Sequence, residues 1–161
     1  MFGLSLRDDR WGRRAAAAIA FVGALLFSGC TKSEAELRQD DRATIEAIVV
    51  EDVRASRALA DADAAARKGD VPAALDAVDH RAEPAIEAGL RLTASADPKT
   101  EWGRARRDVF AGILQDRRAE LGRYREALKS GDPQKLISAI DAQAKIERRA
   151  IAAIADARDD R

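Results

Sequence analysis

The chain of 161 residues holds one cysteine, Cys30, one histidine, His80, and one methionine, Met1. With a single thiol, no intrachain disulfide scaffold can form. One imidazole cannot supply the paired histidines or repeated Glu-x-x-His ligands of a metal or haem bundle within a single subunit. No C-x-x-C-H haem attachment, Gly-rich phosphate loop or G-x-S-x-G is present either, and no cofactor is expected. Aromatic residues make up 4% of the chain, and only Trp102, Phe110 and Tyr124 follow Cys30. A sheet, which favours aromatic and β-branched residues, is therefore not expected. The chain also lacks a charge excess, with 28 basic and 28 acidic side chains. Setting aside Arg7, Arg10, Arg13, Arg14, Asp8 and Asp9 leaves 24 against 26, a net charge of −2, which is not the footprint of a nucleic-acid binder.

The sequence is instead rich in Ala, Arg, Asp and Glu, a composition that favours helix because Ala loses no side-chain entropy there. At the N-terminus Arg7, Arg10, Arg13 and Arg14 precede an unbroken apolar run of thirteen residues, Ala15 to Phe27. As a helix that run would span about 20 Å against a bilayer core of roughly 30 Å, the proportions of an export signal rather than a permanent span. It ends in Leu26-Phe27-Ser28-Gly29-Cys30, which resembles the lipobox of bacterial lipoproteins. The resemblance implies cleavage before Cys30 and acylation of its sulfur and then its amine. Residues 1–29 are accordingly expected to be a signal peptide and 30–161 the mature domain.

Four long helical stretches follow, divided by three punctuation sites. The first is expected from about Ser33 to Lys68. Gly69 suits a left-handed position after it, and Asp70 can cap the next helix, with Pro72 in its first turn. The second runs to about Thr93 or Ala94. Asp97 is expected as the cap and Pro98 as the first residue of the third, which reaches about Lys129. Ser130-Gly131-Asp132-Pro133 repeats the pattern, and the fourth runs from Pro133 to about Ala157. A shift of 62 residues lays Gly69-Asp70 on Gly131-Asp132, Leu59 on Leu121, Ala77 on Ala139 and Val78 on Ile140, suggesting two similar hairpins, about 36–94 and 98–157.

Three-and-four spacing marks a buried stripe on each helix. The stripes are Ile45, Ile48, Ala55, Leu59, Ala62 and Ala66 on the first, and Leu75, Val78, Ala82, Ile86 and Leu90 on the second. The third carries Val109, Ile113, Leu121, Tyr124 and Leu128, and the fourth Ile137, Ile140, Ala144, Ile151 and Ile154. Short connections make antiparallel neighbours, hence an all-α, up-down-up-down four-helix bundle. A pair of hairpins completing its core by self-association is the rival arrangement.

Within this frame Pro84 is expected to kink or break the second helix, because it lacks an N–H for the carbonyl of His80. His80 itself reads as a partly exposed helix residue paired with Asp76. Asp79, His80 and Glu83 would suggest chemistry only if they met arginines in a concave pocket. The domain is therefore expected to be non-enzymatic: a membrane-tethered helical module that interacts with an envelope component or with itself, anchored through Cys30. Ligand binding or stress sensing by a periplasmic helical lipoprotein is one alternative, and an accessory subunit or cryptic enzyme another. Thr31, where Asp would favour inner-membrane retention, points to the outer membrane facing the periplasm. The connection near Trp102, with Arg104, Arg106 and Arg107, is expected at the membrane-facing end.

Overall fold

In a computed structural model of the chain, residues 32–159 are described; Cys30 and the signal expected over residues 1–29 lie outside them. Among the described residues all regular structure is helical and forms a four-helix bundle. Helix α1 (Glu34–Arg67) has Glu34 and Glu36 in its first turn and Arg67 in its last, matching the helix dipole at both ends. Its end is a Schellman closure: Gly69, with φ +77°, donates to the Ala66 carbonyl, and Asp70 donates to the Ala65 carbonyl. The Asp70 carboxylate then accepts from the Ala73 N–H at 3.0 Å and starts the second rod.

That rod has three parts: α2 (Val71–Ala77), a π-helical turn (Val78–Ala82) and α3 (Glu83–Ser95). The interruption expected at Pro84 is thus a π turn completed just before it, with the Glu83 N–H reaching back five residues to the Val78 carbonyl. The apolar pattern explains why. Ala74, Ala77 and Val78 are buried in the first half, and Ala82, Ala85, Ile86 and Gly89 in the second. On an uninterrupted α-helix at about 100° per residue these two sets would face directions differing by nearly one residue's rotation. A π turn takes up one extra residue and brings both faces onto α1.

The third rod, α4 (Glu101–Ser130), starts three residues later than Asp97-Pro98 suggests, with Thr100 as its cap. Asp97 instead pairs with Lys99, while residues 99 and 100 are held by Asp41 of α1. A tertiary acceptor has displaced the local one. Gly131, with φ +64°, ends α4, and Asp132 accepts from Gln134 N–H at 2.9 Å at the start of α5 (Pro133–Asp159). The two outer turns are thus closed by the same residue types in the same conformation.

Consecutive rods are antiparallel neighbours; α4 also packs across on α1, and α5 lies chiefly along α4 and touches α1 less. Two apolar clusters fill the interior. One, bordering both glycine turns, contains Leu59, Ala62, Ala77, Val78, Ile86, Leu121, Tyr124 and Leu128; the other, toward the opposite end, contains Ile45, Ile48, Phe110, Ile113, Leu114 and Ile146. The α1 stripe is buried as expected from Ile45 to Ala62. Two stripes are corrected. On α4, Phe110 is buried and Val109 is exposed. On α5 the buried face is Ala139, Gln143, Ile146, Ala150 and Ala153, leaving Ile137 and Ile151 in water, because small residues let α5 approach α4 closely.

Candidate functional site

At the end of the bundle where α1 begins, Asp41 organises the connection between the second and third rods. Its carboxylate accepts from the backbone N–H groups of Lys99 and Thr100 at 2.9 and 2.8 Å and from the Thr100 hydroxyl at 2.6 Å. The same hydroxyl oxygen caps α4 by accepting from Gly103 N–H at 3.0 Å. Burial pushes the Asp41 carboxyl up, but the hydrogen bonds from Thr100 and Lys99 outweigh it and hold it below the usual carboxylate range. Gly103 is required here, since a Cβ would overlap the Asp41 carboxylate and lie 2.8 Å from Pro98 Cβ.

Trp102 is half-buried and packs against the cluster around Ile45 and Phe110, closing that end of the core. The guanidinium groups of Arg38 and Arg42 lie over its ring, 5.4 and 5.8 Å from the centroid, a double cation–π arrangement. The three arginines singled out beside it divide between two directions. Arg104 donates to the Lys99 carbonyl at 3.0 Å, and Arg107 pairs with Asp108 at 2.8 Å and reaches the Ala96 carbonyl. Arg106 turns the other way, toward Asp156 on α5 at 3.8 Å. Arg104 and Arg107 thus stay with Trp102's connection, and Arg106 ties α4 to α5.

Between the two apolar clusters lies a polar layer that the stripes did not reveal. Arg117 of α4 is 1% exposed and donates through Nε and Nη2 to Asp52 of α1 at 2.7 and 3.3 Å, and through Nη2 to Glu147 of α5 at 2.7 Å. Ser56 donates to the same Glu147 oxygen. Burial pushes the Arg117 guanidinium down, but Asp52 and then Glu147 overcome this and hold it above its ordinary value. Burial likewise raises the Glu147 carboxyl, and Ser56 and Arg117 reverse the sign and lower it. The sequence did carry the signal: Asp41 and Asp52 fall in phase with Ile45, Ile48 and Ala55, and Arg117 lies midway between Ile113 and Leu121. Gln143, one turn before Glu147 and 6% exposed, has a side-chain amide with no hydrogen-bond partner among the described residues.

Toward the glycine turns, Tyr124 donates its hydroxyl to Asp63 of α1. Burial raises the Asp63 carboxyl despite that bond, and burial together with Asp63 raises the Tyr124 phenol far above its usual range. Asp79 and Glu83, flanking the π turn, converge on Arg125 at 2.5 and 2.6 Å. His80 lies apart from them, exposed, with Nδ1 3.1 Å from Asp76. Asp79, His80 and Glu83 therefore form no common cleft.

Among the described residues, no group of three or more His, Cys, Asp or Glu side chains is placed to hold a metal ion, and no helix is long and apolar enough to cross a membrane. The described domain is small and all-helical, without a catalytic motif; of its buried charges, Arg117 and Asp52 join Glu147 in ion pairs that link α1, α4 and α5, and Asp41 is held by hydrogen bonds from Lys99 and Thr100. No protein-family model matches the chain, and no curated protein or solved structure is significantly similar to it.

Proposed function

We propose that the protein is a lipid-anchored helical module of the bacterial cell envelope that acts by non-enzymatic interaction. The observation that carries this reading is the order Ala15–Phe27, Ser28-Gly29-Cys30, and then, four residues on, the start of α1 at Glu34. Four extended residues reach about 14 Å, so an anchor on Cys30 would keep the α1 end of the bundle near the lipid surface. Three acyl chains hold a protein durably, whereas one holds it only reversibly.

The end bearing Trp102 is then the membrane-facing one. Support comes from the basic side chains beside the connection, Arg38, Arg42 and Arg104, which suit anionic headgroups, with Lys99 and Arg107 there paired with Asp97 and Asp108. Trp102 serves this end chiefly as a lid on the core, its ring covered by two guanidiniums. The turns at Gly69 and Gly131 would point away from the bilayer, and the outer membrane facing the periplasm is the proposed site.

The test is the intact mass of protein purified from membranes of its native host. It should correspond to a chain starting at Cys30 plus acyl groups, and Cys30→Ser should accumulate unlipidated precursor. A native mass equal to the unmodified chain from Met1 would overturn the anchor. For the orientation, Trp102 fluorescence of lipidated protein on anionic vesicles should be less accessible to aqueous quencher than on neutral vesicles. Equal access on both would overturn the membrane-facing assignment.

A further inference from the structure

The two isoleucines that α5 leaves in water, Ile137 and Ile151, belong to a longer pattern. Ile137, Ala144 and Ile151 recur at intervals of seven, and Ile140 and Ile154 stand three residues beyond the first and last of them, the a and d positions of a heptad seam. Ile137 and Ile151 are 52% and 58% exposed, the highest values for large hydrophobic side chains among the described residues. Ile137 and Ile151 stand clear of the bundle, while Ile140 and Ile154 are half-buried at the margins of its two apolar clusters and Glu147, at the remaining d position, is held by Arg117; the seam therefore borders the buried face, on the flank where α5 meets α1 loosely. Across the groove there, Val50 of α1, 48% exposed, lines the same concavity as Ile154 and Ala157.

We infer that this seam is a homodimer interface, in which α5 packs antiparallel on α5 of a second copy about a two-fold axis near residues 145 and 146. The charges decide both occupant and direction. Asp141 and Arg148 flank the seam at equivalent heptad positions, both are exposed, and neither has an ion-pair partner among the described residues, whereas neighbouring Arg149 is engaged by Asp116. Antiparallel packing sets Asp141 against the partner's Arg148 and Arg148 against the partner's Asp141. It also stacks Ile137 on the partner's Ile154 and Ile140 on the partner's Ile151. The same register sets Glu147, held by Arg117 of its own bundle, beside the partner's Ala144, whereas parallel packing would set Glu147 against the partner's Glu147 and leave Asp141 and Arg148 unmatched. A surface complementary to itself in both shape and charge fits an isologous dimer. The dimer requires neither Cys30 nor a membrane, so its failure would leave the anchor reading untouched.

The experiment is sedimentation equilibrium of the processed protein in density-matched nonionic detergent, with a nitroxide at position 155 (Ala155→Cys) for pulsed distance measurement. A mass of two chains and a label separation of roughly 30 Å are expected, since 19 residues of helix rise separate the two labels about the axis. Ile137→Glu and Ile151→Glu should each weaken dimerisation by at least about thirtyfold with the helical circular dichroism unchanged. Asp141→Arg and Arg148→Asp should each weaken it, and the two combined should restore it. A monomer throughout, a dimer indifferent to the isoleucine changes, no restoration by the double swap, or labels in near contact would each overturn the inference.

Discussion

Arg117 and Asp52, 65 residues apart in the chain, meet in the middle of the bundle with Nε and Oδ1 2.7 Å apart and both side chains almost wholly withdrawn from water. Breaking such a pair strands the remaining charge, whereas replacing both members removes the desolvation cost along with the attraction. Arg117→Leu is expected to lower stability by about 3–5 kcal/mol in urea unfolding. Adding Asp52→Leu and Glu147→Gln to it should recover most of that loss. If the triple variant unfolds as readily as the single one, the layer stabilises by packing rather than by charge pairing.

Gln143 makes the opposite case within the same region. Its buried amide has no partner among the described residues, and an unsatisfied buried polar group costs about 1–3 kcal/mol. Gln143→Leu should therefore stabilise the protein and raise Tm by roughly 2–12 °C. A fall in Tm would mean that the amide is engaged after all.

The pH dependence should contain two contributions of opposite sign. Asp41 is lowered in the folded state, so its stabilisation is present above the unfolded carboxylate pKa and is lost as pH falls through its folded value. Asp63 is raised, so its contribution is fullest below the unfolded pKa and is lost as pH climbs through its folded value. Asp41→Asn should thus destabilise at pH 7 and converge on the parent protein in acid. Asp63→Asn, which keeps an acceptor for Tyr124, should stabilise at pH 7 and lose that advantage in acid. Unfolding free energies measured from pH 7 down to pH 3 would refute either assignment if the two variants followed parallel curves.

Two buried glycines allow a direct comparison. A Cβ at Gly89 would meet Leu114 Cδ1 at 2.8 Å, the movable end of a side chain, whereas a Cβ at Gly103 would meet a carboxylate fixed by three donors. Gly103→Ala is expected to cost about 2–3 kcal/mol, and Gly89→Ala less than about 1 kcal/mol once its helix propensity is counted. Equal losses would show that the Asp41 clamp yields as easily as a leucine.

Local chemistry made most of the architecture legible. Gly69, Asp70, Gly131 and Asp132 name the conformations they adopt, and α1 and α5 begin within a residue of where capping and charge place them. What escaped depends on partners distant in the chain. The start of α4 is set by Asp41, which no window around Pro98 contains. The rotation of α5 is not legible in its sequence because its most apolar stripe is not its buried one: isoleucines outweigh alanines on any hydrophobicity scale, yet alanines fit against α4. Asp52 and Arg117 stand in phase with the stripes but are charged, and a charge is buried only with a partner, which lies 65 residues away in the chain.

The π turn at Val78–Ala82 has a further implication. It takes up one residue more than an uninterrupted α-helix would need to keep both α2 and α3 facing α1. Within that rod this turn is the position best able to lose a residue without turning α2 or α3 away from α1; a deletion elsewhere would rotate everything between it and the nearest loop. Length variation among descendants of this chain should collect at the π turn, with Pro84 fixing its downstream edge.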